Sequence, residues 1–163
     1  MVAAHVFETL QTALVPRAGT GAVSHGVLVL HLSPDELLTT VRRLRDEFDF
    51  DVFLDVTAID WLGQPQAATA RFEVVHHFYS SVHNRRIRLK TRVPESAPVV
   101  PSLVTMYGSA AFMERECHDM YGIRFEGNAD LRPILLYEGF VGHPLRKDYP
   151  KDREQPLIPY RDV

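Results

Sequence analysis

Residues 85 to 93 alternate without a break. Ile87, Leu89 and Val93 fall on one side, and Arg86, Arg88, Lys90 and Arg92 on the other. That two-residue period predicts a strand with one wet face. The run from 70 to 80 sets Phe72, Val74, His76 and Phe78 against Glu73, Val75, His77 and Tyr79. Ser81-Val82-His83-Asn84 joins the two runs and is short enough for a hairpin. Residues 51 to 59 read as another strand, with Val52, Leu54, Val56 and Ala58 on one face and Asp51, Phe53, Asp55 and Thr57 on the other. A further strand runs from Gly26 to Leu32, closed by Ser33-Pro34.

Elsewhere the period is helical. Ser33 as N-cap, Pro34 at the first helical position and Glu36 two residues on make a capping box. The helix that follows buries Leu37, Val41, Leu44 and Phe48. Residues 2 to 14 read as a short amphipathic helix through Val6, Leu10 and Leu14, and Pro16 to Gly21 as a loop. After Pro94, Pro98 and Pro101, a helical stretch is expected at about 100–107. It breaks at Gly108, and a second helix runs from Ser109 to Tyr121. Met113, Cys117 and Met120 form its apolar stripe, Arg115 and Asp119 are spaced to pair, and Gly122 sits where a C-cap belongs. The order α-β-α-β-β-β-α predicts an α+β domain over residues 1–122: a mostly antiparallel sheet of about four strands with helices on one face.

Beyond Gly122 no period lasts. Charges are frequent, and prolines stand at 133, 144, 150, 156 and 159. The segment is too polar to fold around a core of its own, yet too rich in Leu, Ile, Phe and Tyr for a plain disordered tail. Residues 123–163 are read as an extended arm that becomes ordered by lying on something else. Its Arg132, Arg146, Lys147 and Asp148 suit pairing with a partner's charges. Aromatic and arginine side chains together are typical of interface anchors.

Composition narrows the chemistry. The 163 residues are 45% hydrophobic and 24% charged, as in soluble globular proteins. A net charge of −3 gives no case for nucleic-acid binding. One cysteine excludes an internal disulfide and a cysteine-ligated cluster. No apolar run approaches the ~20 residues of a membrane span, and MVAAHVFETL carries no signal-peptide pattern. The eight histidines show no HxxxH or HxH spacing. His76 and His77 point to opposite faces of a strand and cannot share an ion. There is no P-loop, GxGxxG or GxSxG. Cys117 reads as a packing thiol; a small stand-alone enzyme using Cys117 and His118 is the outside reading. The row Arg86, Arg88, Lys90 and Arg92 is either a solvated face paired across strands to Glu73 or a site for an acidic partner.

Two blocks point to a family. ERECHDMYGIRF, from Glu114, and GHPLRKDYP, Gly142 to Pro150, are joined by the step Asp130-Leu131-Arg132-Pro133-Ile134-Leu135-Leu136. Together they resemble the signature of the 30 kDa subunit (the C subunit) of respiratory NADH:quinone oxidoreductase (complex I). The chain departs from that pattern at His118, at Asn128-Ala129 and at Phe140-Val141. The resemblance implies a cofactor-free structural subunit in the peripheral arm of a proton-translocating enzyme. NADH, FMN, iron–sulfur clusters and quinone would belong to other subunits of the assembled complex. It implies packing on the hydrogenase-large-subunit-like partner that helps form the quinone pocket. It also implies a peripheral place at the cytoplasmic face of the cell membrane, or the matrix or stromal side in an organelle. The resemblance also leaves an alternative reading, the equivalent subunit of a related membrane-bound hydrogenase or of a ferredoxin- or F420H2-linked dehydrogenase. The residues expected to bind the partner are Glu114, Arg115, Asp119, Gly122, Asp130, Leu131, Arg132, Gly142, His143, Pro144, Leu145, Arg146, Lys147, Asp148 and Tyr149.

Overall fold

In a computed structural model, which describes Leu10, Thr12 and residues 21–155, the chain forms an α+β fold around a five-stranded sheet. The strands are β1 (Gly21–Ser24), β2 (Val27–Leu32), β3 (Val52–Asp60), β4 (Phe72–Ser80) and β5 (Arg85–Val93). Their spatial order is β1-β2-β5-β4-β3. Three neighbouring pairs are antiparallel; β2 and β5 alone run parallel. Joining two parallel strands requires a crossover, and helix α1 (Pro34–Phe48) lies within it. The expected helix over residues 2–14 lies outside the described residues, apart from Leu10 and Thr12, which are helical.

The sheet expected to have about four strands has five. The added strand, β1, makes a two-residue hairpin with β2 through His25 and Gly26, at φ 51° and 75°. Positive φ at both turn positions is what a tight hairpin with right-handed twist demands. A correction concerns β3. Phe53 pairs with Phe78 and Asp55 with His77, so Leu54 is the extra residue of a β-bulge. The bulge turns Phe53, not Leu54, into the core with Val56 and Ala58, against the rings of Phe78 and Tyr107 at 5.2 and 5.8 Å.

Helix α1 starts as its sequence dictates: the Glu36 carboxylate accepts hydrogen bonds from the Ser33 N–H and hydroxyl, both at 2.8 Å. Its buried Leu37, Val41 and Leu44 join one core with Leu28, Leu30, Phe72, Ile87 and Leu89. Helix α2 (Ala110–Tyr121) lies along β3 and adds Ala110 and Cys117 to that core. The helical stretch expected at about 100–107 does not form. Val99–Pro101 is instead strand β6, which pairs in parallel with β7 (Arg124–Glu126) beyond α2. Ile123 and Phe125 are thereby buried in the core. No helix among the described residues is long and apolar enough to cross a membrane.

Candidate partner-binding surface

After β7 the chain has no regular structure, yet it is held closely. What it lies on is its own domain. Three buried side chains do most of the holding, and two of them come from α2.

Glu114 is fully buried, and its carboxylate accepts from the Ser102 hydroxyl and the Leu103 N–H at 2.7 Å and from the Asn128 amide at 2.9 Å. Burial pushes its pKa up; the three donors only partly oppose this. One oxygen of Asp119 accepts three successive backbone N–H groups, those of Ile134, Leu135 and Leu136, at 3.1, 2.9 and 2.9 Å. Asp119 is therefore engaged by the arm, and the expected Arg115–Asp119 pair is absent. Arg115 donates instead to the carbonyls of Arg132 and Pro133 at 3.0 Å and lies 3.5 Å from Asp130. Asp130 forms a two-pronged pair with Arg132, whose guanidinium holds its carboxyl well below the usual carboxylate range.

The third holding residue, Arg71 at the start of β4, is 5% exposed. Its guanidinium donates to Asp60, to Asp148 and to Glu95. The backbone N–H of Lys147 also donates to Asp60, at 2.9 Å. Burial alone would raise the Asp60 pKa, but Arg71 and the amides of Lys147 and Leu62 outweigh it and hold it low. Arg71 and Arg146 both lie over the buried Phe72 ring, at 4.9 and 5.0 Å. Neither Asp60 nor Arg71 stands out in the sequence. Their one signal is position: they bracket the β3–β4 loop as a charged pair at the ends of two apolar strands.

The GHPLRKDYP block closes over the end of α2. Gly122 is its left-handed C-cap at φ 73°. A Cβ there would stand 2.5 Å from Arg146 and from His143, so the arm seats itself on a bare backbone. His143 Nδ1 bonds the Asp119 carbonyl, Leu145 N–H the Met120 carbonyl, and Arg146 Nε the Tyr121 carbonyl. These three unpaired carbonyls of the last helical turn are thus satisfied by the arm. Gly142, at φ 102°, lies under the Tyr149 ring, which stacks on Phe140. Pro144 is half-buried, and Leu131 packs against the core.

The sequence-predicted residues thus divide. Glu114, Asp119 and Gly122 face inward and shape the arm; Arg115 and Arg146 hold it by backbone carbonyls. The exposed side chains of the arm include the apolar Ile134, Leu135 (61% exposed), Val141 (57%) and Leu145 (51%), together with the charged Arg132, Glu138, Lys147 and Asp148. Large exposed apolar side chains thus stand on a segment that is already held in place.

Catalytic chemistry finds little support. Cys117 is 2% exposed, and burial pushes its thiol well up, away from the thiolate a nucleophile requires. His118 Nδ1 is bonded to the Ile123 carbonyl. Among the described residues no three His, Cys, Asp or Glu side chains are placed to hold a metal ion.

Residues 30–155 match the family model described as "Respiratory-chain NADH dehydrogenase, 30 Kd subunit". The C subunit of the NADH-quinone oxidoreductase of Methylobacterium sp. (strain 4-46) is 43% identical, over 88% of this chain and 63% of that protein. Its counterpart from Xanthobacter autotrophicus (strain ATCC BAA-1158 / Py2) is 38% identical, over 99% of this chain and 78% of that one. The chain spans about two thirds of the length of the relatives it matches, 63% and 64% for two of them. A solved structure titled "Nqo5 of the trypsin-resistant fragment (1-134)" superimposes with a TM-score of 0.70 at 26% identity, over 77% of this chain and 99% of that one. A chain of a membrane-bound sulfane sulfur reductase, an archaeal respiratory membrane complex, shares the fold: TM-score 0.69, 24% identity, 83% and 77% coverage.

Proposed function

The chain belongs to the family of the respiratory-chain NADH dehydrogenase 30 kDa subunit, and from that premise we propose that it is a structural subunit of a proton-translocating NADH:quinone oxidoreductase. It carries no cofactor and moves no electrons itself. It stands in the peripheral arm of the complex, reaches the membrane only through partners, and packs on the hydrogenase-large-subunit-like subunit beside the quinone pocket.

One observation carries this reading: the arm is locked from below and leaves large apolar side chains exposed above. Asp119, Glu114 and Arg71 fix residues 128–148 from within. Leu135, Val141 and Leu145 are left uncovered. A segment ordered at such length, with its apolar side chains turned to solvent, is shaped for a protein surface.

The test is a pull-down from native membranes with the tagged full chain. It is compared with a chain cut after Ala129, which retains β7 and the Asn128–Glu114 bond, and with a Leu135→Glu/Val141→Glu variant. The full chain is expected to recover a multi-subunit complex with NADH–quinone activity. Neither altered chain should recover it, although the double variant should melt like the parent because both side chains are exposed. Equal recovery by all three would assign the interface to the sheet domain instead.

A further inference from the structure

The outer face of the sheet resolves the two readings of the basic row on β5 by dividing it. At one end Glu73, opposite Arg92 in the strand register, is 1% exposed and pairs with Lys90 at 2.9 Å, Arg92 at 3.5 Å and His31 at 3.7 Å. One buried carboxylate thus engages three cationic or protonatable groups, and that half of the row is structural. The other half has no such partner. Arg86 and Arg88 make no ion pair among the described residues, and the Nε atoms of Arg85 and Arg88 are buried without an acceptor. Arg88 stands opposite His77 and Arg86 opposite Tyr79. The positive charge collects where it is unanswered: burial favours the neutral form of His77, and Arg88, Arg86 and Lys90 add to that effect and outweigh Asp55.

At that end lies a cleft of about 600 Å³, lined by Val27, Leu54, Tyr79, Asn84, Arg85 and Arg86. Leu54 stands in it because it is the extra residue of the β3 bulge. The Tyr79 hydroxyl is fixed by Asn84 at 3.1 Å. The cleft therefore offers apolar and aromatic walls beside a row of guanidiniums with free donors. Arg86 and Arg88 are two residues apart on one face of a strand, hence roughly 7 Å apart along it. A second extended chain with acidic side chains at alternate positions has the same repeat.

We infer that this cleft and the adjoining Arg86–Arg88 row bind an extended acidic segment of a partner protein, with carboxylates at alternate positions and, two residues before them on the same face, an apolar residue between Leu54 and Tyr79. Charge complementarity selects the occupant. The site is positive on a chain of net charge −3, and arginine forks match carboxylates bidentately. A membrane surface fits less well, because the positive charges are interrupted by Asp55, opposite His77, and by Glu73, opposite Arg92, rather than forming a continuous patch. Neither the arm nor the complex proposed above is needed for this site to bind.

The test uses the full chain and a peptide, Ser-Leu-Ser-Glu-Ser-Glu, whose Leu and two Glu share one face when extended, followed by NMR. Its Gln-for-Glu counterpart, inorganic phosphate and vesicles containing an anionic lipid serve as alternatives. The acidic peptide is expected to move the resonances of Tyr79, His77 and Arg86, to raise the pKa of His77, and to bind more weakly as salt rises. Arg86→Glu/Arg88→Glu should weaken it about tenfold or more, while Arg124→Glu, a charge reversal elsewhere on the surface, should not. Because neither Arg86 nor Arg88 makes an ion pair among the described residues, the double variant should keep the parent melting temperature. Equal binding by the double variant, equal binding of the Gln peptide, or binding of phosphate or vesicles in place of the acidic peptide would each overturn the inference. No binding by any probe would overturn it as well.

Discussion

A single oxygen of Asp119 organises the turn from Ile134 to Leu136, three N–H groups converging on one negative charge. Charge-assisted bonds of this kind are roughly twice as strong as neutral ones. Asp119→Ala leaves three backbone donors without their acceptor, which should cost about 2–3 kcal/mol in urea unfolding. Amide exchange at 134–136 should accelerate most. Asp119→Asn, which keeps an oxygen but loses the charge, should fall between. Cys117 gives a second prediction at this scale. A buried thiol held in its neutral form should react with iodoacetamide only as fast as the fold opens. Rapid alkylation of the native protein near neutral pH would revive the enzyme reading.

The elements differ in how much of them the sequence carries. β4 and β5 are legible because each has one face in the core and their register follows from a short turn. α1 is legible from Ser33, Pro34 and Glu36 alone. β1 is not: Gly21-Ala22-Val23-Ser24 contains no alternation, and its Val23 is exposed even in the sheet. Val99–Pro101 has too little local preference to declare itself, and it becomes a strand because β7, beyond α2, pairs with it. Alternation alone puts the wrong face of β3 inward before Leu54, because one inserted residue inverts everything ahead of it. In the arm the GHPLRKDYP block is readable, but not that it clasps its own domain, since Arg71 meets Asp148 across 77 residues. Gly122 ties element to arm. Gly122→Ala places a methyl group against His143 and Arg146 at φ 73°, and should cost more than about 1 kcal/mol. Trypsin should then cut sooner after Arg146 and Lys147 than in the parent.

For the whole molecule, acid should open the clasp before it melts the sheet. The hydrogen bonds from Arg71 hold the Asp148 carboxyl below its ordinary range. Burial works against the charge of Asp60, yet Arg71 and the neighbouring amides hold that carboxyl low as well. A carboxyl depressed in the folded state contributes stability that is present above its unfolded pKa, about 4, and is lost as pH falls through the depressed value. Arm resonances at 143–149 should therefore broaden or shift below about pH 4, ahead of those of β4 and β5. Arg71→Gln should bring the same opening at neutral pH.

The Arg71 clasp also sets a chronology for the making of the protein. Asp60, Arg71 and Glu95 are translated early and lie together once the sheet forms, but Asp148 follows Arg71 by 77 residues. Through that interval two carboxylates share the guanidinium, and the place of the third stays open to water. Helix α2 likewise emerges with its last carbonyls bare until His143, Leu145 and Arg146 arrive. The sheet can pair before residues 143–149 are made, the 134–136 turn is set as soon as it meets Asp119, and Leu145 takes its place only when its own stretch closes over α2.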